Sequence, residues 1–395
     1  MLSAFTSYAA AQGQKGMQLL APGVGWVASG SPILWTTDNG GQWKNITLPG
    51  KSLGVVSIFF LDRSTGWVLL QAPDVEEPGS SLPWEPKFEL AHTKDSGATW
   101  SLTQLELGVN PQEYLLVPQG FIQFTDATHG WMNLTVQSGA AFHAAILFRT
   151  VDGGKNWIWV GAPGTSGPVR FIDQQNGWVA SEMDYKLWAT HDGAKTWTEV
   201  SLRPPSEVLP AETVVYQLPV FTDNVHGALT VSFSASPNDL DAHAKGSRVA
   251  LFVTADAGKN WKFDGVLSTL PGGHATVKPA AGGSWLITAE EGSGDILTLK
   301  QLSLNDKHSS TSVNAAVSEN GGVDAASFAS AQEGWVLTFP SHCSLLDMTP
   351  RCLPQLLSTT DGGNSWINIA PWKGDGKPLI PAGKPIHTTT WRPAG

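Results

Sequence analysis

The chain of 395 residues has little of several features that would each point to a particular class of protein. It contains two cysteines, and charged residues make up 15% of it, against about 25% in typical soluble domains. No apolar run approaches the ~20 residues that span a bilayer. Acidic residues outnumber basic ones by 34 to 24, which gives a formal net charge of -10. Because nucleic acids and anionic membranes select basic partners, we expect neither as a ligand.

The N-terminus and the two cysteines both bear on the cellular compartment. Residues 1–12, MLSAFTSYAAAQ, lack the basic start and long apolar core of a complete signal peptide, although Ala9 to Ala11 resemble the end of one. We therefore expect an exported protein, extracellular or at the cell surface. Cys343 and Cys352 lie in SHCSLLDMTPRC, where Pro350 favours a turn between them. A small disulfide is expected, and two free thiols are the alternative.

The chain is rich in a repeated octet with the pattern Thr-x-Asp-x-Gly-x-x-Trp. Its copies are TTDNGGQW (36–43), TKDSGATW (93–100), TVDGGKNW (150–157), THDGAKTW (190–197), TADAGKNW (254–261) and TTDGGNSW (359–366). Threonine and aspartate side chains can replace backbone hydrogen bonds lost in a tight turn, and glycine supplies a positive φ. The tryptophan packs into an apolar layer. Ala194 replaces the glycine of the fourth octet, which predicts a strained or altered turn there.

The octets therefore predict hairpins held by side-chain hydrogen bonds and tryptophan packing, and not catalytic sites. Their structural residues are Asp38, Trp43, Asp95, Trp100, Asp152, Trp157, Asp192, Trp197, Asp256, Trp261, Asp361 and Trp366. Each of these side chains is expected to stabilise a turn or fill the core.

A second repeat precedes most octets and contains Phe, any residue, Asp or Ser, three residues, Gly and usually Trp. It occurs as FLDRSTGW (60–67), FTDATHGW (124–131), FIDQQNGW (171–178), FTDNVHGA (221–228) and FASAQEGW (328–335). Short runs of strand-forming residues flank both repeats, so each unit predicts four strands. Seven units fit the chain, at about 16–49, 55–106, 120–162, 167–202, 216–267, 274–318 and 321–372, and the sixth has no octet.

Repeated four-stranded units predict an all-β fold, a seven-bladed β-propeller of antiparallel blades, because radial closure protects strand edges. Six or eight blades are the alternatives. The expected domains are an N-terminal extension (1–15), the propeller (16–372) and a Pro/Gly-rich tail (373–395). The octet resembles the Asp-box, or BNR, repeat of sialidases, sortilin-type receptors and photosystem II stability/assembly factor-like proteins. This resemblance covers nearly the whole chain. By analogy with the assembly factor-like proteins, it implies a scaffold that holds a partner.

The repeat also separates two faces of the predicted disc. Octets and the turns between first and second strands share one face, while the other connections lie on the opposite rim. Chain length varies almost entirely on that rim, with long loops at about 71–88, 137–144, 234–247 and 340–355. Loops on a rigid scaffold commonly carry binding residues. The candidates on the rim are Trp84, Glu85, Asp239, Asp241, His243 and His342, together with Arg170, which could face the central channel.

The predicted function is a non-enzymatic, secreted or surface-associated module that recognises a protein segment or a glycan through this rim. The alternative is a glycoside hydrolase with two carboxylates drawn from Glu85, Asp239 and Asp241. A sialidase is disfavoured, because the resemblance would imply an Arg-Ile-Pro segment that the chain lacks. Scattered histidines, with neither a nucleophile elbow nor a P-loop, predict no metal and no cofactor. We expect a monomer with an unknown protein or carbohydrate ligand, no nucleic acid and no transmembrane segment.

Overall fold

The computed structural model describes residues 15–29, 32–48, 54–72, 87–109, 115–137, 144–181, 185–203, 213–234, 247–270, 275–279, 284–290, 297–303, 310–314, 321–330, 332–340, 354–371 and 386–387. Within these ranges the regular secondary structure consists of β-strands, and the strands that pair are antiparallel. No helix in the described ranges is long and apolar enough to cross a membrane.

The strands of these ranges form seven sheets, which we number in chain order. Sheet 1 contains β1 (Lys15–Ala21), β2 (Val24–Ser29), β3 (Ile33–Thr36) and β4 (Lys44–Asn45). Sheet 2 contains β5 (Gly54–Phe60), β6 (Gly66–Gln71), β7 (Phe88–Thr93) and β8 (Ser101–Gln104). Sheet 3 contains β9 (Leu115–Phe124), β10 (Gly130–Gln137), β11 (Ala144–Thr150) and β12 (Ile158–Gly161). Sheet 4 contains β13 (Val169–Phe171), β14 (Gly177–Ala180), β15 (Leu187–Thr190) and β16 (Thr198–Glu199).

The remaining sheets vary this four-stranded plan. Sheet 5 contains β17 (Thr213–Tyr216), β18 (Val220–Phe221), β19 (Gly227–Ser234), β20 (Ser247–Thr254) and β21 (Lys262–Leu270), with β17 and β18 both paired to β19. Sheet 6 contains β22 (Ala275–Pro279), β23 (Ser284–Glu290), β24 (Leu297–Ser303) and β25 (Ser310–Asn314). Sheet 7 contains β26 (Gly321–Phe328), β27 (Gly334–Pro340), β28 (Gln355–Thr359), β29 (Ser365–Asn368) and β30 (Ile386–His387). The short β30 returns from the C-terminal region to pair with β29.

Sheet 7 closes the structure by packing against sheet 1. The Leu19 backbone N–H donates to Ser327 Oγ at 2.9 Å, so the first strands of these two sheets are joined directly. Leu34 and Trp335 also share one buried apolar cluster, although they lie at opposite ends of the chain. The predicted all-β propeller of four-stranded antiparallel blades is therefore confirmed.

The octets form hydrogen-bonded turns, as predicted. In the second octet, Thr93 Oγ1 donates to Asp95 Oδ1 at 2.8 Å and accepts from the Gly97 N–H at 2.9 Å. The Thr99 N–H donates to Asp95 Oδ1 at 2.8 Å, and Thr99 Oγ1 donates to Asp95 Oδ2 at 2.6 Å. Two of these bonds recur in the other five octets: the threonine hydroxyl donates to the aspartate, and the backbone N–H of the fifth residue donates to the threonine Oγ1. These side chains thus replace the ladder partners that the turn removes.

The fourth and fifth residues of each octet both have positive φ. In the fourth octet these are Gly193, at 75°, and Ala194, at 72°. The Ala194 N–H still donates to Thr190 Oγ1 at 2.9 Å, as the corresponding glycine does in the other octets. The turn at Ala194 therefore keeps its shape and holds a non-glycine residue in a conformation that costs roughly 1–2 kcal/mol.

The aromatic residues of the two repeats meet at the boundaries between consecutive sheets, which we call seams. At the seam of sheets 2 and 3, Trp67 stacks on Phe124 with ring centroids 3.7 Å apart. Phe124 in turn meets the octet residue Trp157 edge-on at 6.1 Å. The same arrangement joins sheets 3 and 4 through Phe171, and sheets 4 and 5 through Phe221. Each of these seams therefore contains three aromatic rings: the tryptophan of the second repeat from one sheet, and the phenylalanine of the second repeat and the octet tryptophan from the next sheet.

The structure also confirms that octets share a face with the turns between first and second strands. The backbone N–H of the fourth octet residue donates to a carbonyl of that turn in its own sheet in all six octets. Gly153 does so to Thr128 O at 2.9 Å, and Gly362 to Gln332 O at 2.9 Å. We call this side the octet face. The long connections leave the sheets from the opposite side.

Acidic pH should destabilise the seam of sheets 2 and 3 through His92. The His92 ring stacks on Trp67 with ring centroids 4.9 Å apart, and its Nε2 is buried without a partner in the described residues. Burial lowers the pKa of His92 below 6.5, and the positive charges of Lys94 and Lys155 lower it further. Because the folded pKa lies below the unfolded one, the stabilisation is present above pH 6.5 and declines as the pH falls below it.

The variant His92→Phe keeps an aromatic ring in the stack and removes the titrating group. Melting temperatures measured at pH 7.5 and pH 5.0 should therefore fall less for the variant than for the native protein. Equal falls in the two proteins would contradict the assignment of this acid sensitivity to His92.

Candidate functional site

Most of the predicted rim residues lie outside the described part of the chain. They are Trp84, Glu85, Asp239, Asp241, His243 and His342, and the cysteines Cys343 and Cys352 lie outside it as well. The described residues do show where two of their loops begin and end. Gln71 pairs with Phe88 and Thr338 with Gln355, in each case at the end of the sheet remote from the octet.

The octet face offers few uncommitted carboxylates. Hydrogen bonds from the side chain and backbone of Thr99, with one from Thr93, lower the pKa of Asp95 to about 2. The turn aspartate Asp223 accepts backbone bonds from Val225 and His226, each at 2.7 Å, and its pKa is lowered to about 2 by these bonds. Carboxylates held in this way stabilise turns in the charged form. They are poorly placed to accept a proton or a ligand.

Arg170 is the predicted site residue that the structure does describe. It lies in the middle of β13, with Val169 and Phe171 buried on either side of it. The Arg170 side chain is half-buried, and burial lowers the pKa of its guanidinium, which stays a strong base. We call the first strand of each sheet its innermost strand. Among the side chains of these strands that the structure describes, that of Arg170 is the only charged one.

The backbone beside Arg170 is fixed by a glutamine of the preceding sheet. The Phe171 N–H donates to Gln123 Oε1 at 2.6 Å, and Gln123 Nε2 donates to Phe171 O at 2.8 Å. The Phe171 ring stacks on Trp131 at 4.1 Å. These contacts hold the strand that carries Arg170 in one position, so the guanidinium is presented from a rigid element.

Other innermost strands are joined by small polar groups. The Ile122 N–H donates to Ser57 Oγ at 3.1 Å, which links sheets 2 and 3. Within sheet 1, Trp26 Nε1 donates to Gln18 Oε1 at 3.3 Å. These bonds satisfy hydroxyl and amide groups inside the protein, whereas the Arg170 guanidinium forms no ion pair with a described residue.

Tyr185 is a rim residue that sequence reasoning did not select. It lies on the connection between β14 and β15, is 41% exposed and has a φ of 60°. Its carbonyl accepts from the Tyr216 N–H at 3.2 Å, so the Tyr185 backbone also contacts sheet 5. An exposed aromatic side chain in a strained backbone conformation is a feature of binding surfaces. Neither repeat covers this position, and no motif therefore marked it.

Comparisons with known proteins show what this geometry resembles. No protein-family model and no curated protein matches the sequence. The solved structure "YCF48 bound to D1 peptide" matches with a TM-score of 0.50 and 16% identity, covering 84% of this chain and 90% of that chain. The chain shares the β-propeller fold of this photosystem II assembly factor. The predicted resemblance to assembly factor-like propellers is confirmed at the level of fold.

Two further solved structures are similar at lower scores. YCF48 from Cyanidioschyzon merolae has a TM-score of 0.45 at 15% identity, covering 82% of this chain and 87% of that chain. The GH93 alpha-L-arabinofuranosidase of Fusarium graminearum, in complex with arabinobiose, has a TM-score of 0.40 at 13% identity, covering 73% of this chain and 88% of that chain.

Proposed function

We propose that this chain is a non-enzymatic binding or scaffold propeller that holds a protein segment at its long-loop rim and channel mouth. The observation that carries the proposal is the contrast between the two faces. The octet aspartates accept hydrogen bonds within their own turns. Arg170, in contrast, lies on an innermost strand whose backbone is held by Gln123, and it has no ion-pair partner in the described residues. A half-buried charge of this kind is costly and commonly marks a functional site.

A peptide is the ligand class that we favour. YCF48, which shares the propeller fold, is solved with a D1 peptide bound. A guanidinium on a rigid strand can bind a carboxylate through two parallel hydrogen bonds. The overall charge of -10 disfavours acidic partners elsewhere on the surface, so a carboxylate would be attracted at Arg170 in particular. We infer that the bound segment presents an acidic side chain or a free C-terminus there.

Substitution of Arg170 tests this proposal. Peptides selected from a random display library against the purified chain should be enriched in carboxylates, and Arg170→Ala should weaken their binding by about 10- to 150-fold. That range corresponds to ~1.5–3 kcal/mol for a hydrogen bond to a charged group. Isothermal titration calorimetry provides the dissociation constants.

Two further variants make this measurement specific. Arg63→Ala removes an exposed arginine from the octet face and should leave the dissociation constants unchanged. Arg170→Lys keeps the charge without the bidentate geometry and should give an intermediate loss. Peptides that bind Arg170→Ala as tightly as the native chain would refute the proposed site.

The remaining parts of the proposal concern details of architecture and location. We propose that the ring has seven blades, that the octets are Asp-boxes, and that the protein is exported with a Cys343–Cys352 disulfide. The seven described sheets support the blade count, and the hydrogen-bonded turns of the octets support their assignment as Asp-boxes. The nine-residue spacing of the cysteines would allow the disulfide. The intact mass of unreduced, alkylated protein would reveal free thiols. A glycoside hydrolase stays the alternative, and turnover of aryl glycosides would favour it.

A further inference from the structure

The seam between sheets 7 and 1 contains one side-chain oxygen that serves two donors. Asn39, the fourth residue of the first octet, accepts through Oδ1 from Trp335 Nε1 at 2.8 Å and from Ser358 Oγ at 2.8 Å. Trp335 and Ser358 face each other in register on β27 and β28. An acceptor from the next sheet thus satisfies both donors.

The seam between sheets 3 and 4 has corresponding donors but no corresponding oxygen. Trp131 and Arg149 face each other in register on β10 and β11, as Trp335 and Ser358 do in sheet 7. The fourth octet residue facing them is Gly193, which has no side chain. Trp131 is 0% exposed, and neither its Nε1 nor Arg149 Nε has an acceptor among the described residues.

Polar groups converge on the place where a side chain of Gly193 would begin. A Cβ on Gly193 would lie 2.9 Å from the Gln174 carbonyl oxygen, and the donors Arg149 Nη1 and Gln175 Nε2 would each lie 3.8 Å from it. At the seam of sheets 2 and 3 the fourth octet residue is also a glycine, Gly153. There, however, Trp67 Nε1 donates to Gly153 O at 3.0 Å. At the seam of sheets 3 and 4, Trp131 Nε1 donates neither to an asparagine side chain nor to a backbone carbonyl of the described residues.

Nearby carboxylates are already engaged. Asp173 Oδ1 accepts from the Gln175 and Asn176 N–H groups at 2.7 Å each. Asp192 Oδ1 accepts from the Lys195 and Thr196 N–H groups at 3.0 Å each. A buried indole N–H and a buried guanidinium N–H without acceptors are both costly. An acceptor from solution would remove that cost.

We propose that a small inorganic anion of the halide class binds at the seam of sheets 3 and 4, where Trp131 Nε1 and Arg149 are the donors. It takes the role that Asn39 Oδ1 has at the seam of sheets 7 and 1. Water fits less well, because it brings two hydrogens of its own and leaves the guanidinium charge uncompensated. A monatomic anion has only acceptor capacity and replaces a single oxygen atom. The bound ion would connect the two sheets.

Crystals soaked in sodium bromide test the site directly. An anomalous difference peak is expected between Trp131 Nε1 and the Arg149 guanidinium. In solution, the melting temperature should rise by about 1–3 °C between 1 and 100 mM chloride, with sodium gluconate holding the ionic strength constant. An absent bromide peak in crystals that diffract well would overturn the proposal.

The variant Gly193→Asn supplies the missing oxygen from the protein. Asparagine tolerates positive φ, and Asn39 holds it at 54° in the equivalent position. This variant should lose the chloride dependence and the bromide peak. The control is Gly153→Asn, where the added Cβ meets a backbone oxygen at 2.9 Å, as it does at Gly193. It should keep both signals. Full chloride dependence in Gly193→Asn would count against the site.

Discussion

Replacing Trp67 with alanine should lower the free energy of unfolding by about 3–5 kcal/mol, the usual cost of removing a large aromatic side chain from a core. Trp67 is 0% exposed and lies between the rings of Phe124 and His92. Its Nε1 donates to Gly153 O at 3.0 Å. The substitution therefore opens a cavity at a seam and leaves the partly buried Gly153 carbonyl without this donor.

Urea denaturation followed by circular dichroism measures this loss. Trp159→Ala is the matched control, because Trp159 belongs to the neighbouring sheet and is 50% exposed. Its effect should be clearly smaller than that of Trp67→Ala, because half of the Trp159 side chain is already exposed in the folded protein. Equal losses in the two variants would show that burial at the seam is not what makes Trp67 important.

Much of this architecture is predictable from the sequence, because the residues that build it recur at fixed spacing. Phe124, Trp131 and Trp157 each belong to a repeat, and their neighbours in the third unit alternate or run apolar as strands do. The four strands predicted for that unit, at about 120–162, correspond to β9, β10, β11 and β12. The unit at 274–318 has no octet and still corresponds to β22 through β25.

Contacts between different units are harder to predict. Gln123 and Phe171 are 48 residues apart, and nothing local indicates that one amide will bind both backbone groups of the other residue. Asn39 occupies a position where the octet pattern allows any residue, so its contact with Trp335 is equally invisible. Rim residues follow no period at all. Loop length indicates the rim as a region, but neither repeat marks an individual exposed residue on it, such as Tyr185.

One added methyl group at Gly258 should cost about 2–4 kcal/mol of unfolding free energy. Gly258 is the fifth residue of its octet and has a φ of 73°. A Cβ there would lie 2.5 Å from Trp178 Cζ2. Trp178 is 0% exposed and stacks on Phe221 at 4.8 Å, so the indole has little freedom to move. The estimate combines ~1–2 kcal/mol for the backbone with ~1–2 kcal/mol for overpacking, the lower part of the range that overpacked cores show.

Ala194 shows that the same methyl group is tolerated one octet earlier. It is 1% exposed and belongs to the buried cluster against which Val160 packs. Val160 is the third residue after the octet tryptophan of sheet 3. In sheets 7 and 1 that place is held by Ile369 and Ile46, which a Cβ on the facing octet glycine would approach to 2.7 and 2.8 Å.

The comparison of Gly258→Ala with Ala194→Gly therefore separates the cost of overpacking by the methyl group from the cost of backbone strain at a positive φ. Ala194→Gly relieves the strained φ and loses a buried methyl group, so its two effects oppose each other and the net change should be under about 1 kcal/mol. Gly258→Ala combines two unfavourable effects. Urea midpoints of the two variants should differ accordingly. If both variants were as stable as the native protein, the fifth glycine would not be needed for the seam to close.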